Sequence, residues 1–297
     1  MSDAILHCGD NLEIMRTMPD ASVDLVFTSP PYEAARTYGI DFALRGQAWV
    51  DWAVERYMEC LRVSRGLVAW VVEGQTRQFR YSATPALLMA DLHRRGVKLR
   101  HPAAYVRDGI PGSGGPDWIK NKWEWIVCAT RDGRLRWSDN TACGHPPIFG
   151  PGGAPSHRRA DGTRANGSKS TDRRPSGELK NRVYVPPKLA NPGNWLEFPD
   201  DGVGVDCGPG GGGHLGGELA HENEAPFPIR LAEFFVKSFC PPGGTVLDPH
   251  CGSGTTLVAA VENGRHAIGI DVRQSQIELT TRRLEATNRD LFTGATP

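Results

Sequence analysis

The sequence predicts an α/β protein with a mixed central sheet and one long irregular insertion. Strand-like and helix-like hydrophobic patterns alternate from about residue 4 to 129 and again from 224 onward. A strand, a glycine turn, a helix and a second strand follow one another between residues 245 and 271. Between 131 and 217 this regularity gives way to glycine, proline, arginine and serine, which is typical of a functional or disordered insertion.

The hydrophobic periodicity places the individual elements. Strands are expected at 4–8, 23–28, 67–72, 103–106 and 123–129, the last two antiparallel. Helices are expected at 11–18, at 47–65 with Gly66 as its end, and at 84–95 with Thr84 as N-cap. After the insertion come a helix that begins at 225–228 and carries an apolar stripe to Phe239, strands at 245–248 and 266–271, and helices at 255–261 and 274–289.

Composition favours an ordinary globular protein over a fibre or a tail. The chain has 297 residues, 39% hydrophobic and 23% charged, enough for one large α/β domain with a smaller insertion. The seven cysteines form no CxxC pair and the first residues lack signal-peptide features, which predicts a reducing, cytoplasmic setting. No apolar run has the length of a membrane span.

The basic residues are concentrated in the insertion. Formal net charge is zero, but residues 131–182 hold eleven Arg or Lys against five acidic residues, a local excess of six. Such a block is either a solvated loop or the electrostatic footprint of a protein that binds the phosphate backbone of nucleic acid.

Residues 28–32 read Thr-Ser-Pro-Pro-Tyr and end an apolar run that begins at Val23. The prolines fix φ and lack N–H groups, so the carbonyls of Ser29 and Pro30 are expected to point outward as acceptors. These acceptors suit an amino group, and Tyr32 offers a flat face on which a base can stack. A buried strand followed by a Pro-Pro turn and a tyrosine at the rim is the structural alternative.

The glycine turn between residues 245 and 271 predicts a nucleotide-like ligand. Gly252 and Gly254 let the backbone approach a ligand at a helix N-terminus, and Asp271 is placed to accept hydrogen bonds from ribose hydroxyls. The turn lacks the third glycine of GxGxxG and the lysine of a P-loop, which disfavours a dinucleotide or a nucleoside triphosphate. Asp10, after the first strand, either accepts from an adenine amino group or caps the next helix.

Both motifs resemble those of the DNA amino-methyltransferases, which methylate an exocyclic base nitrogen with S-adenosylmethionine. The segment 28–32 is similar to the catalytic motif of that family, and its serine-first form is the one associated with cytosine N4. Residues 248–256, DPHCGSGTT, are similar to the cofactor motif DPFxGSGTT, with His250 where phenylalanine is usual. The order of catalytic motif, recognition region and cofactor motif is that of the β class.

The resemblance implies a Rossmann-like methyltransferase fold with a mixed seven-stranded sheet, circularly permuted. Joining residue 297 to residue 1 restores the usual strand order, and the helix at 274–289 becomes the crossover into the first strand. Residues 1–130 are then the catalytic part of the methyltransferase domain. Residues 131–220 are the inserted target-recognition region, and 221–297 are the cofactor-binding part of the same domain.

The resemblance also implies the site residues. The catalytic residues are Ser29, Pro30, Pro31 and Tyr32. Asp248 is expected to face the amino group of the cofactor, and Phe227 to flank it. The full cofactor set is Asp10, Thr28, Phe227, Asp248, Cys251, Gly252, Ser253, Gly254, Thr255 and Asp271. The candidates for contact with DNA phosphates or base edges, each also compatible with a solvated surface charge, are Arg158, Arg159, Arg164, Lys169, Arg173 and Arg174.

The predicted reaction is methylation of cytosine N4 in a base flipped out of double-stranded DNA. Adenine N6 is the near alternative, since Ser29 is a neutral acceptor that can serve either amine, and RNA is a weaker alternative substrate. A sequence-specific DNA-binding protein without catalysis is the alternative from another class. The family is compatible with a homodimer and with a cognate restriction endonuclease, and no membrane partner is expected.

Two other chemistries are disfavoured by the cysteines and histidines. Methylation of cytosine carbon 5 needs a cysteine in a Pro-Cys loop, whereas Cys240 precedes its prolines and Cys251 lies in the cofactor turn. No metal is predicted, because the remaining candidates fit no common zinc spacing. Those candidates are Cys143, His145, His157, Cys207 and His214.

Overall fold

We describe a computed structural model of the chain, which covers residues 3–33, 42–107, 117–147, 156–158, 164–166, 187–198 and 227–293. The helices are α1 Asn11–Thr17, α2 Gly46–Val63, α3 Thr84–Arg94, α4 Ile229–Phe239, α5 Thr255–Glu262 and α6 Gln274–Thr293. The strands are β1 Ala4–Cys8, β2 Val23–Thr28, β3 Ser64–Val72, β4 Thr76–Arg77, β5 Arg80–Tyr81, β6 Lys98–Leu99, β7 Ala103–Val106, β8 Trp123–Thr130, β9 Ser156–Arg158, β10 Arg164–Asn166, β11 Trp195–Leu196, β12 Thr245–Asp248 and β13 His266–Asp271.

The main sheet is mixed, as predicted. Its order is β1-β13-β12-β2-β3-β8-β7-β11, with β6 also paired to β8. The strands from β1 to β3 in this order are all parallel, and β8 runs antiparallel to β3, β6 and β7. Nine strands take part among the residues that the structure covers, so the predicted count of seven is too low. The two additional strands, β6 and β11, contain two residues each and give little periodicity to detect.

The two ends of the chain meet in the sheet. β1 pairs in parallel with β13, from Ala4 beside Ala267 to Cys8 beside Asp271. α6, which follows β13, packs against β1 as the predicted crossover would. The strand order therefore agrees with the permuted arrangement inferred from the motifs.

Apolar side chains cover both faces of the sheet. Along β2, Leu25 and Phe27 face the helices α4 and α5, while Val23 and Val26 face α2. All six residues of this strand are buried, which explains why its sequence is a nearly continuous apolar run. The strand that carries the catalytic motif is thus held from both sides.

Several element boundaries differ from the sequence prediction, and two of them have a clear structural reason. α2 ends at Val63, and Gly66 lies inside β3, where a side chain would collide with the Asp24 carbonyl oxygen at 1.8 Å. Gly66 therefore permits close pairing of β2 and β3 beside a register shift, and does not end a helix. The N-cap of α3 is Ala83, in a left-handed conformation, so Thr84 is the first helical residue and not the predicted cap.

The interval 140–192 forms a compact unit of its own. Within it, β9 and β10 pair antiparallel, and His145 forms an isolated bridge with Ala190. β11 lies inside the predicted recognition interval but pairs with β7 of the main sheet. The division at 130 and 220 otherwise stays a prediction. No helix in the described ranges is both long and apolar enough to cross a membrane.

Candidate active site

The two sequence motifs meet at one edge of the sheet. β2 and β12 are parallel neighbours, with Leu25 beside Val246 and Val26 beside Leu247, so the turns that follow them leave the sheet side by side. The Thr28 hydroxyl donates a hydrogen bond to Asp248 Oδ1 over 2.5 Å. This contact joins the last residue of β2 directly to the last residue of β12.

Side chains from other elements hold the turn Ser29–Tyr32 in place. Trp49 Nε1 of α2 donates to the Pro31 carbonyl at 2.9 Å. The Ser29 hydroxyl lies 3.4 Å from the Tyr32 hydroxyl, which in turn donates to Glu124 Oε2 at 2.8 Å. Glu124 is 4% exposed and forms an ion pair with Arg107. The phenol of Tyr32 is therefore fixed by a buried carboxylate whose charge is balanced.

The cofactor turn has the backbone that its glycines predict. Gly252 and Gly254 have φ values of 51° and 80°, the left-handed region that favours glycine. A Cβ on Gly254 would lie 2.5 Å from Thr280 Cγ2, so no side chain fits there. The Gly252 carbonyl accepts a hydrogen bond from Thr280 Oγ1 at 2.8 Å, and the Gly252 N–H donates one to Asp271 Oδ2 at 3.1 Å.

A buried arginine supports the same turn from α6. Arg283 Nη1 donates to the Ser253 carbonyl at 2.6 Å, to the Ser253 hydroxyl at 3.0 Å and to the Thr255 hydroxyl at 3.2 Å. Burial lowers its pKa to about 10, so it remains charged at neutral pH. Arg283 was not among the predicted site residues, although its place on the buried face of α6 with Ile277, Thr280 and Leu284 is a usable signal in the sequence.

Replacing Arg283 with methionine should lower both stability and affinity for the cofactor. The change leaves a buried carbonyl and two hydroxyls without this donor, at a cost of about 2–3 kcal/mol in the free energy of unfolding. Thermal melts and titration with S-adenosylmethionine measure the two effects. Arg282→Met, an exposed neighbour on the same helix, serves as the control. Equal behaviour of the two variants would contradict the assigned role.

The three predicted acidic ligands differ in their surroundings. Asp248 is 2% exposed, and burial raises its pKa to about 6, although the Thr28 hydroxyl opposes the shift. Asp271 accepts from the N–H groups of Gly252 and Arg273, which fixes its carboxylate under the turn. Asp10 caps α1 by accepting from the N–H groups of Leu12 and Glu13.

Asp10 is thus the N-cap that the alternative interpretation expected. Its second oxygen accepts from Arg56 Nη2 at 2.9 Å, and Arg56 also donates to Asn11 Oδ1. The guanidinium lies 4.5 Å above the Trp52 ring. Half of the Asp10 carboxylate remains exposed, so capping the helix and contacting a ligand are compatible roles.

His250 is half-buried among aromatic rings. Its ring centroid lies 5.8 Å from that of Trp52 and 5.5 Å from that of Trp70, and its Nδ1 is 3.3 Å from Thr28 Oγ1. Burial lowers its pKa to about 3, so the ring is neutral at physiological pH. A neutral imidazole therefore fills the place of the usual phenylalanine and adds a polar contact to the catalytic strand.

The remaining predicted residues lie in varied places. Phe227 packs edge-on against Phe27 at 5.4 Å, next to β2. Cys251, Ser253 and Thr255 are buried in the cofactor turn and at the start of α5. Burial also raises the pKa of Cys240 to about 12, which leaves its thiol protonated and agrees with setting carbon-5 chemistry aside.

The predicted DNA contacts are only partly covered. Arg158 ends β9 and Arg164 begins β10, paired with each other across that hairpin. Arg159, Lys169, Arg173 and Arg174 lie outside the described residues, as do Cys207 and His214. In the portion of the chain that is described, no group of three or more Cys, His, Asp or Glu can hold a metal ion. The absence of a metal site stays a prediction.

Comparison of the sequence with known proteins gives consistent matches. The N6/N4 family model described as DNA methylase matches residues 23–282. The type II methyltransferase M.ScaI of Streptomyces caespitosus is 25% identical over 98% of this chain and 84% of its own length. The DNA adenine methyltransferase YhdJ of Escherichia coli K12 is 26% identical over 95% of this chain and 82% of its own.

Solved structures share the fold. The PvuII DNA methyltransferase, titled cytosine-N4-specific, superposes with a TM-score of 0.65 at 16% identity, covering 99% of this chain and 94% of its own. TTHA0409 of Thermus thermophilus, solved with S-adenosyl-L-methionine, gives a TM-score of 0.55 at 22% identity, covering 96% and 95%. The mixed sheet described above is thus one that DNA methylases use.

Proposed function

The chain belongs to the N6/N4 family of DNA methylases, and we propose that it methylates the N4 amino group of cytosine in double-stranded DNA. S-adenosylmethionine is the methyl donor. The observation that carries the proposal is the serine-first turn Ser29–Tyr32, placed beside the cofactor turn by the pairing of β2 with β12. The cytosine-N4 enzyme PvuII methyltransferase, of the same fold, adds support.

The residues of the cofactor turn fit this donor. An ionised carboxylate accepts hydrogen bonds and donates none. The proposed ligands Asp248, Asp271 and Asp10 therefore suit the amino and hydroxyl groups of S-adenosylmethionine, which donate. Gly252 and Gly254, in the left-handed conformation, leave the backbone of the cofactor turn free of side chains at these two positions. Bound there, S-adenosylmethionine supplies an electrophilic methyl group on a sulfonium.

The catalytic turn prepares the amine. An exocyclic amino nitrogen is a poor nucleophile, because its lone pair is delocalised into the ring. The Ser29 side chain and the Pro30 carbonyl accept hydrogen bonds from the two N–H groups of the amine. These contacts favour a pyramidal nitrogen whose lone pair points toward the cofactor turn. After transfer, the cationic N-methylated amine loses its surplus proton to water, and no covalent intermediate with the protein is needed.

Tyr32 receives the flipped base. Extrusion of a base from the duplex costs a few kcal/mol of stacking and pairing, and the phenol ring offsets part of this cost by stacking. The hydrogen bond to Glu124 fixes the ring before DNA arrives. A fixed ring loses less conformational entropy on binding, so Glu124 acts as a positioning residue.

A cytoplasmic location is supported by the bacterial DNA methyltransferases that the chain resembles and by cysteines that form no CxxC pair. Within the proposed recognition region 131–220, Arg158, Arg159, Arg164, Lys169, Arg173 and Arg174 are the candidates for holding the duplex. The similarity to M.ScaI, a type II methyltransferase, favours a restriction-modification role with a cognate endonuclease.

Adenine N6 is the second candidate target, favoured by the 26% identity to the adenine methyltransferase YhdJ. Both targets can be distinguished by incubating unmethylated plasmid DNA with labelled S-adenosylmethionine and digesting the product to nucleosides. We expect N4-methyldeoxycytidine as the labelled product, and sequencing of the modified DNA then gives the recognition site. N6-methyldeoxyadenosine as the sole product would overturn the cytosine assignment, and no incorporation would favour a DNA-binding protein without catalysis.

A further inference from the structure

A short hairpin made of β4 and β5 stands at the edge of the sheet that carries the active site. It follows β3, which is parallel to β2, so both leave the sheet at the same edge. Gln75 and Ser82 close its base, since each backbone N–H donates to the other residue at 2.9 Å. Residues 76–81 are all exposed.

The base of this hairpin is tied to the support of the catalytic turn. The Tyr81 hydroxyl donates to Glu73 Oε1 at 2.8 Å, and Glu73 is 7% exposed. Val72 of β3 pairs with Trp125 of the antiparallel β8, so Glu73 and Glu124 lie side by side at the next position. Burial raises the pKa of Glu73, and the nearby charge of Glu124 raises it further. Glu124 also accepts a hydrogen bond from Tyr32. Only the side chains of Glu73 and Glu124 therefore lie between Tyr81 of the hairpin and Tyr32, the residue proposed to stack on the flipped base.

At the tip of the hairpin, an exposed phenylalanine adopts a left-handed backbone conformation that this residue type rarely takes. Gln78 and Phe79 form a two-residue turn with φ values of 48° and 61°, a turn that normally selects asparagine and glycine. Phe79 is nevertheless 81% exposed, more than any other large hydrophobic side chain in the described part of the chain. Neither backbone geometry nor packing explains a phenylalanine here, which points to a binding role.

The neighbours of Phe79 indicate what it binds. Arg77 and Arg80 are paired with each other across the hairpin next to the turn and are exposed, so the residues on both sides of Gln78 and Phe79 are positively charged. Arginines contact phosphates, and apolar side chains enter base steps as wedges. We propose that Phe79 inserts into the base stack of duplex DNA beside the extruded target nucleotide, with Arg77 and Arg80 on the flanking phosphates. This inference rests on the proposed function.

Phe79→Gly tests the wedge without risking the fold. Glycine relieves the left-handed backbone, so the melting temperature is expected to stay the same or rise. For a duplex containing the mapped site, we expect kcat/KM to fall and Kd to rise by about tenfold or more, because the stacking face is lost. With the target base opposite an abasic site, extrusion costs less, and both parameters should stay within about threefold of wild type.

Phe79→Trp is the matched control, since it keeps a stacking face, and it should behave like wild type on both substrates. Wild-type behaviour of Phe79→Gly on the intact duplex, or an equal loss on both substrates, would overturn the wedge. Fluorescence anisotropy gives the Kd values independently of catalysis. For a protein that transfers no methyl group, a result that would overturn the proposed function alone, duplexes selected by binding replace the mapped site. A Kd that rises about tenfold for Phe79→Gly on those duplexes then supports the wedge, and an unchanged Kd overturns it.

Discussion

Replacing Ser29 with alanine is expected to reduce kcat for methyl transfer by about 100-fold or more, the usual effect of removing one preorganised polar group from a reacting centre. The hydroxyl lies on the turn beside the cofactor site and makes only a long 3.4 Å contact with Tyr32, so the fold should not depend on it. Affinity for S-adenosylmethionine is expected to stay within about twofold, since Ser29 acts on the amine. Single-turnover transfer and cofactor titration separate the two quantities.

Ser22→Ala provides the comparison for this variant. Ser22 directly precedes β2, at the opposite edge of the sheet, and its buried hydroxyl has no partner among the described atoms.

Tyr32→Ala, which removes the stacking face, should lower kcat/KM by about 10- to 100-fold. Equal incorporation by wild type, Ser29→Ala and Tyr32→Ala would show that the catalytic assignment is wrong.

Asp248→Asn is expected to make the protein more stable and nearly inactive. Burial raises the pKa of Asp248 from its ordinary 3.8 to about 6, so the folded state binds this proton more tightly than the unfolded state does. Stability from this group is complete below pH 3.8 and is lost as pH rises through 6. At pH 8 a neutral asparagine avoids a penalty of up to about 3 kcal/mol, and the melting temperature should rise by several degrees.

The same substitution should abolish tight cofactor binding, because a neutral amide does not attract an ammonium group. In wild type, affinity for S-adenosylmethionine should fall as pH drops below about 6, and this dependence should be absent in the variant. Melting curves at pH 4 and pH 8, with cofactor titrations above and below pH 6, test these effects. A wild-type affinity that is flat across pH 6 would contradict the assignment.

Asp24→Asn is the contrasting control at the far edge of the sheet. Burial alone would raise the pKa of Asp24, but Arg65 and the Thr245 N–H hold it below its ordinary value. The contribution of Asp24 to the free energy of unfolding is therefore present at neutral pH and is lost as the pH falls. This pH dependence has the opposite sign to that of Asp248. The variant should melt at a lower temperature at pH 8 and leave cofactor affinity unchanged.

The sequence predicts the parts of the fold that depend on local patterns. The bounds of β1, β12 and β13 are as expected, because each strand is an apolar run stopped by an aspartate or glycine turn. Gly66 was misjudged because its role depends on the Asp24 carbonyl of another strand. β6 and β11 escaped detection because two residues carry no periodicity.

The site was predictable to the same extent. The motifs indicate Ser29, Gly252 and Asp248, and the pairing of β2 with β12 brings the turns that hold them to one edge of the sheet. Among these three, only Gly252, with a φ of 51°, is required by its backbone conformation. Glu124 and Arg283 were not predicted. The pattern of α6 marks Arg283 as buried, but its contact with Ser253, like that of Glu124 with Tyr32, is created only by the folded chain. The pocket of His250 likewise depends on tryptophans from α2 and β3.

The contact of Thr28 with Asp248 joins residues 220 positions apart along the chain. Pairing at such separation carries a large loop-closure entropy and is expected to form late in folding. A growing polypeptide still on the ribosome holds the catalytic turn long before β12 has been synthesised. Nascent chains should therefore be unable to modify the genome, and activity should begin only after β12 and β13 have emerged and joined the sheet.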